Sequence, residues 1–198
     1  MLMQSSPDIE QLIRRDFAAL LAEAVDGVAI DGGGTNEPNG ILQTTGIGSV
    51  AMGTNGGTIT WAAVIDLIAE LEIDNAEGSA FLTNPQVVKS ARKTAKVAST
   101  DSQMVMEAPD ELAGFPLVST NLVPSNLTKG TGTGLSALIF GNFSDLLLGY
   151  WSEFDLLVNP YESTAYSKGN VQVRGMVTMD VAVRHPESFA AITDLKTT

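Results

Sequence analysis

Residues 7–42 read PDIEQLIRRDFAALLAEAVDGVAIDGGGTNEPNGIL, and the change of character inside this stretch governs how the rest of the chain is read. Its first half has the pattern of an amphipathic helix. Ser6 and Pro7 stand where a helix takes a side-chain cap and a residue without an N–H, and Asp8 and Glu10 sit at the positive end of the helix dipole. Ile9, Leu12, Ile13, Phe17, Leu20, Leu21, Ala24 and Val25 recur at three- and four-residue steps and form one apolar face. The pattern predicts a helix from Pro7 to Val25, about 30 Å long, with Gly27 as its C-cap. Such a length suits a spine. The second half, Asp31 to Gly40, is a glycine-rich turn that leads into the apolar pair Ile41-Leu42.

Beyond this stretch the helical period persists for a while. A second helix is predicted over Thr58 to Leu71, with Trp61, Val64, Ile65, Ile68 and Leu71 as its buried stripe. Ala80 to Thr83 reads as a short strand. Asn84-Pro85 then opens a third helix, expected to reach about Val97, with Lys89, Arg92, Lys93 and Lys96 on its outer side. After Thr100 the period becomes that of strands: Phe115–Val118, Leu135–Phe140, Asp145–Tyr150 and Phe154–Val158. Asn170 to Val183 alternates throughout and is expected to form one long, half-buried antiparallel strand. Helices come early and strands late, without steady βαβ alternation, so the expected class is α+β.

Composition excludes several functions. A chain of 198 residues with 44% hydrophobic and 17% charged residues folds around a core. It has no cysteine, hence no disulfide, thiolate nucleophile or zinc ribbon, which fits a reducing cytoplasm. Eleven basic residues stand against 23 acidic ones, a net charge of −12, which argues against sequence-specific nucleic-acid binding; the plain reading of this acidity is solubility, the sharper one a surface that repels DNA. No apolar run has the length of a membrane span, and residues 1–6 lack the basic start of a secretory signal. The expected protein is soluble and intracellular.

No set of residues has the pattern of a catalytic, cofactor-binding or metal site. His185 is the single histidine and stands without a G-x-S-x-G elbow, so it reads as structural. Gly46-Ile-Gly-Ser-Val-Ala51 and Gly132-Thr-Gly-Leu-Ser-Ala137 match a weak dinucleotide pattern but lack the strand-then-helix context. Asp31–Glu37 lacks the acid spacing of a calcium loop. Glu70, Glu72 and Asp74, and Asp101, Glu107, Asp110 and Glu111, read as solvated faces. Trp61, Phe81 and Phe115 are expected in the core. Tyr150 and Trp151 read as core residues first and interface aromatics second.

The ordered set of local patterns resembles the tailed-bacteriophage major capsid proteins of the Hong Kong 97-type fold. It comprises the long helix, Asn39-Gly-Ile-Leu42, Leu82-Thr-Asn-Pro85, Gly114-Phe-Pro-Leu-Val118, Phe140-Gly-Asn-Phe-Ser144, Val171-Gln-Val-Arg174 and His185-Pro-Glu-Ser-Phe-Ala190. The resemblance implies a spine helix against an antiparallel sheet (the peripheral, P domain) and an axial (A) domain with a central sheet and flanking helices. On that pattern residues 1–41 would be the first part of the P domain, 42–175 the A domain and 176–198 the closing strand of the P domain. It implies a structural protein without cofactor, partnered by itself in pentamers and hexamers of an icosahedral shell. Scaffold, maturation protease, portal and decoration proteins are the further partners implied. The location implied is the virion capsid, with the host cytoplasm before assembly.

In that family an N-terminal arm and a hairpin, the E-loop, precede the spine helix, whereas here the chain begins almost at the helix. The expectation is therefore a truncated gene, a processed product or an expressed fragment, with Arg174-Gly175 where a cross-linking asparagine would fall and hence no self-cross-linking. The same fold also serves nanocompartment shells, which enclose enzymes. From another class, a small α+β enzyme working with acidic residues stays open.

Overall fold

A computed structural model describes residues 8–97, 103–152 and 154–197. In chain order the elements are α1 (Asp8–Asp31), β1 (Gly48–Ser49), β2 (Gly57–Thr58), α2 (Trp61–Ile73), β3 (Ala80–Thr83), α3 (Pro85–Ala91), β4 (Glu111–Leu112) and β5 (Phe115–Ser119). They continue with β6 (Leu127–Lys129), β7 (Gly132–Gly141), β8 (Leu146–Tyr150), β9 (Asp155–Asn159), α4 (Ser163–Tyr166), β10 (Gln172–Met176), β11 (Met179–Val183) and β12 (Phe189–Lys196). The class is α+β. Two compact units emerge, one from Gly27–Leu147 with Val181–Thr198, the other from Met1–Asp26 with Leu148–Asp180.

The larger unit is built on an eight-stranded sheet in the order β1-β12-β7-β3-β5-β4, with β2 also on β12 and β6 also on β7. β12 runs antiparallel to β7, pairing Phe189 with Gly141 and Ile192 with Leu138, and its register slips between Ile192 and Leu195. β3 is antiparallel to β7 and parallel to β5. Because side chains alternate across a strand, β7 and β12 feed two separate cores. Leu138, Phe140, Ala190 and Ile192 join Val64, Leu67 and Leu71 of α2 and Val87 and Ala91 of α3 on one face. Ala137, Ile139, Phe189 and Ala191 join Ile30, Ile41 and Val123 on the other. Phe140 is the hub of the first core, its ring 4.4 Å from Phe81 and 5.0 Å from Phe115, centroid to centroid.

Local signals explain the helices of this unit. Thr60 caps α2 by accepting the Ala63 N–H, and Asn84 caps α3 by accepting those of Gln86 and Val87. α3 is shorter than its sequence pattern suggests. After Ala91 the chain turns away, because Ala95 forms a bridge with Met104 and the Lys96 N–H donates to the Gln103 carbonyl.

The spine helix also departs from expectation. Gly27 does not end it; α1 continues to Asp31 because Ala29 and Ile30 are buried, Ile30 in the second core, so one more turn gains apolar contact. The stop falls at Gly32, whose N–H donates to the Val28 carbonyl, followed by the Gly33–Asn39 bridge. Ser6 and Pro7 lie outside the described residues.

The smaller unit contains α1 up to Asp26, the β9–β10 ladder and α4. Ile13, Phe17, Leu21 and Val25 recur every four residues as the half-buried row of α1. β9 and β10 pair Val158 with Val173 and Leu156 with Gly175. The single strand expected over Asn170–Val183 is two strands. At Thr178 the ladder is interrupted, its carbonyl accepting the Trp151 and Ser152 N–H groups and its own N–H donating to Ser152 Oγ. β10 pairs with β9 and β11 with β8.

Candidate assembly surface

Several of the residues weighed for chemistry, Asp31, Glu37 and Glu107 among them, are engaged in structural contacts. His185 is exposed, and its carbonyl accepts the Ser188 N–H at a turn before β12. In the glycine turn, Glu37 accepts the Gly33 N–H at 2.7 Å and Asp31 accepts from Gln43 at 2.8 Å, so both carboxylates hold the loop. The segment Gly46–Ala51 forms β1 alongside β12 with no helix after it, and Gly132–Ala137 lies within β7. Glu107 pairs with Lys96, whose ammonium lies 3.8 Å over the Trp61 ring. Asp101 lies outside the described residues. Among the described residues there is no group of three or more His, Asp or Glu able to hold a metal, and no helix long and apolar enough to cross a membrane.

One carboxylate is buried. Asp194 is 1% exposed, sits in the register slip of β12, accepts the Met52 N–H at 3.0 Å and pairs with Lys129 at 2.7 Å. These bonds tie the Met52 segment and the β6–β7 turn to β12, which is a structural role.

What the molecule offers instead is unpartnered apolar surface. Among the described residues of the smaller unit none is buried. Leu12 and Leu20, placed by sequence on the apolar face of α1, are 55% and 64% exposed. Trp151 is 71% exposed and Tyr161 83%. Tyr150, Leu157, Val158 and Tyr166 are exposed as well. Tyr150 and Trp151, read first as core residues, are therefore surface aromatics: the Trp151 N–H is spent on the Thr178 carbonyl in a turn whose outer side no described residue covers. Sequence reading passed over Tyr161 and Tyr166; their setting between Asn159-Pro160 and Lys168-Gly169-Asn170, a polar turn, was the available signal. Trp61, Phe81 and Phe115 do belong to the first core.

The helix and the thin ladder of the smaller unit carry exposed apolar side chains, and the sheet of the larger unit is covered on both faces. The sequence matches the phage capsid family over residues 1–194, and the chain belongs to that family. Among solved structures it is similar to the capsid of an empty GTA particle, with 20% identity and a TM-score of 0.74 over 98% of this chain and 69% of that one. It is also similar to a chain of Gordonia phage Cozz, with 19% identity and a TM-score of 0.66 over 93% of this chain and 63% of that one. A third likeness is to the holo-SrpI encapsulin complex from Synechococcus elongatus PCC 7942, with 14% identity and a TM-score of 0.64 over 98% of this chain and 69% of that one. No curated protein matches by sequence. The fold is the Hong Kong 97-type capsid fold, and the chain is a capsid shell protein.

Proposed function

We propose that this chain is the major capsid protein of a tailed phage or prophage head, self-associating into pentamers and hexamers that tile an icosahedral shell around DNA. The observation that carries the reading is the smaller unit, which buries no described residue yet displays Leu12, Leu20, Trp151, Tyr161 and Tyr166 to solvent. Surfaces of this kind mark protein–protein contact, and many modest copies of one interface stabilise a closed shell without any single strong site. The acidic balance of −12 supports a wall that does not adhere to its cargo. In place of the division implied by the resemblance (1–41 and 176–198 peripheral, 42–175 axial), this reading takes the compact units as the domains, Gly27–Leu147 with Val181–Thr198 as the axial one and Met1–Asp26 with Leu148–Asp180 as the peripheral one. In this reading the chain occupies the virion, and the host cytoplasm before assembly.

A second reading, a nanocompartment shell, is favoured by the likeness to the encapsulin complex. Light scattering coupled to size exclusion, over a concentration series, tests the shell reading. Species near five or six times the 20.8 kDa chain, or far larger particles, are expected. A monomer at every concentration would sink it. Particles that co-purify with a protein cargo and exclude DNA would select the nanocompartment.

A further inference from the structure

The geometry points to a head-to-tail contact between copies of this chain, in which the α2–β3 turn of one copy seats in a groove beside α3 of the next. This inference rests on the shell reading and adds to it which surfaces meet.

The groove comes first. Lys89, Arg92 and Lys93 are exposed on α3 or just past its end and line a groove of about 440 Å³ together with Pro85 and Val88. Asp110 also lines it. None of the three cations forms an ion pair with a described residue, whereas Lys96 further along is engaged by Glu107 and Trp61. Cations three and four residues apart repel one another along a helical stretch. In a chain with only 11 basic residues, this concentration calls for an anionic partner, and the most abundant acidic surface available to any copy is another copy, each carrying −12.

The turn supplies the complement. α2 closes with Glu70, Glu72 and Asp74 near the negative pole of its dipole and has no basic residue in its last turn. Ile73 is 74% exposed, flanked by Glu72 and Asp74, with exposed Glu77 just beyond. An apolar tip ringed by carboxylates matches a groove in which Pro85 and Val88 lie among three cations and one carboxylate, Asp110. The turn precedes β3 and α3 follows it, so tip and groove lie at opposite ends of one short strand within one compact unit. Two complementary surfaces that do not overlap make a heterologous contact, which closes into a ring or propagates as a line.

The test uses the full chain. Carbodiimide, which joins carboxylates to lysine amines, is applied to a mixture of natural-abundance and 15N-labelled protein. Mixed-isotope peptides linking Lys89 or Lys93 to Glu72, Asp74 or Glu77 are expected, and fewer of them at about 1 M salt. Lys89→Glu with Lys93→Glu raises the concentration needed for association by roughly tenfold or more, as does Glu72→Lys with Asp74→Lys. All four positions are exposed, so each variant folds; mixing the two variants restores association, because each then offers the other a matched pair. If the wild type associates while both variants associate equally well, or if the inter-copy links form elsewhere, the contact is wrong and the shell reading stands. A wild type that neither associates nor couples between copies overturns both. Loss of DNA retention by the groove variant with association intact assigns the groove to nucleic acid and overturns the contact.

Discussion

Phe17 of α1 and Gly175 of β10 approach so closely that a β-carbon on Gly175 would stand 3.1 Å from the Phe17 ring, and 3.0 Å from that of Phe154. The absence of a side chain at Gly175 is what lets the helix and the ladder share a face. Gly175→Val overpacks this contact and is expected to destabilise the smaller unit by about 1–3 kcal/mol. Hydrogen exchange localised to residues 155–176 checks it, since protection there should fall while that of β7 and β12 stays.

The first core has its own close approach. A β-carbon on Gly78 would fall 2.2 Å from Phe140 Cζ, and that ring is held between Phe81 and Phe115. Gly78→Ala should lower stability by about 1–3 kcal/mol in the wild type. Phe140→Ala alone should cost about 3–5 kcal/mol. In the Phe140→Ala background the Gly78→Ala penalty should largely vanish, and a urea-unfolding double-mutant cycle reads this coupling.

Asp194 is buried whereas Lys129 is 38% exposed at its side chain. Lys129→Met leaves a carboxylate inside the fold with the Met52 N–H as its remaining partner, an expected loss of about 1–3 kcal/mol, below the roughly 3–5 kcal/mol of a fully enclosed pair. Asp194→Asn keeps an acceptor for Met52 and should be the milder change. Equal urea midpoints for Lys129→Met and wild type would refute the structural role.

Asn84 does two jobs, capping α3 and donating from Nδ2 to the Pro124 carbonyl at 3.2 Å while only 2% exposed. Asn84→Ala should cost about 1–2 kcal/mol, because the half-buried Pro124 carbonyl also loses one of its two donors and keeps the Ala137 N–H. Thr60→Ala at the start of α2 should fall nearer 1 kcal/mol. Thermal melts of the two variants, compared side by side, test the ordering.

Leu20 and Tyr161 are 64% and 83% exposed. Leu20→Ser and Tyr161→Ser should leave chain stability within about 0.5 kcal/mol, as exposed positions do, yet reduce association seen by light scattering. Unchanged association in both would remove these residues from the assembly surface.

The elements with local punctuation were legible. Asn84-Pro85 announces α3 because a capping side chain and a residue lacking N–H are both features of a single turn. β3 was legible because strand and cap adjoin. β12 was not legible from periodicity, and only the resemblance implied a closing strand within 176–198: Phe-Ala-Ala-Ile at 189–192 sends alternate residues into two different cores, so it shows no alternation, and a short apolar run alone does not declare a strand. The break at Thr178 was hidden for the opposite reason. Alternation over residues 170–183 records which face is half-buried, but not that the two halves pair with different partners. Gly27 looked like a terminus because nothing local reveals that Ile30 has a core to enter. The assembly surface was legible only in part: periodicity marks Leu12 and Leu20 as apolar and does not say whether their cover lies within the chain.

The position of β12 bears on when this protein becomes usable. The strand lies between β7 and the parallel pair β1 and β2, yet a ribosome makes it after every one of those neighbours. Until it emerges, the nascent chain must hold β7 with an open edge and β1 and β2 with no partner strand, a state prone to stray pairing. Completion of the sheet is then the event that separates a growing polypeptide from a subunit. A copy that has not yet made β12 presents the open edge of β7 in place of a finished sheet.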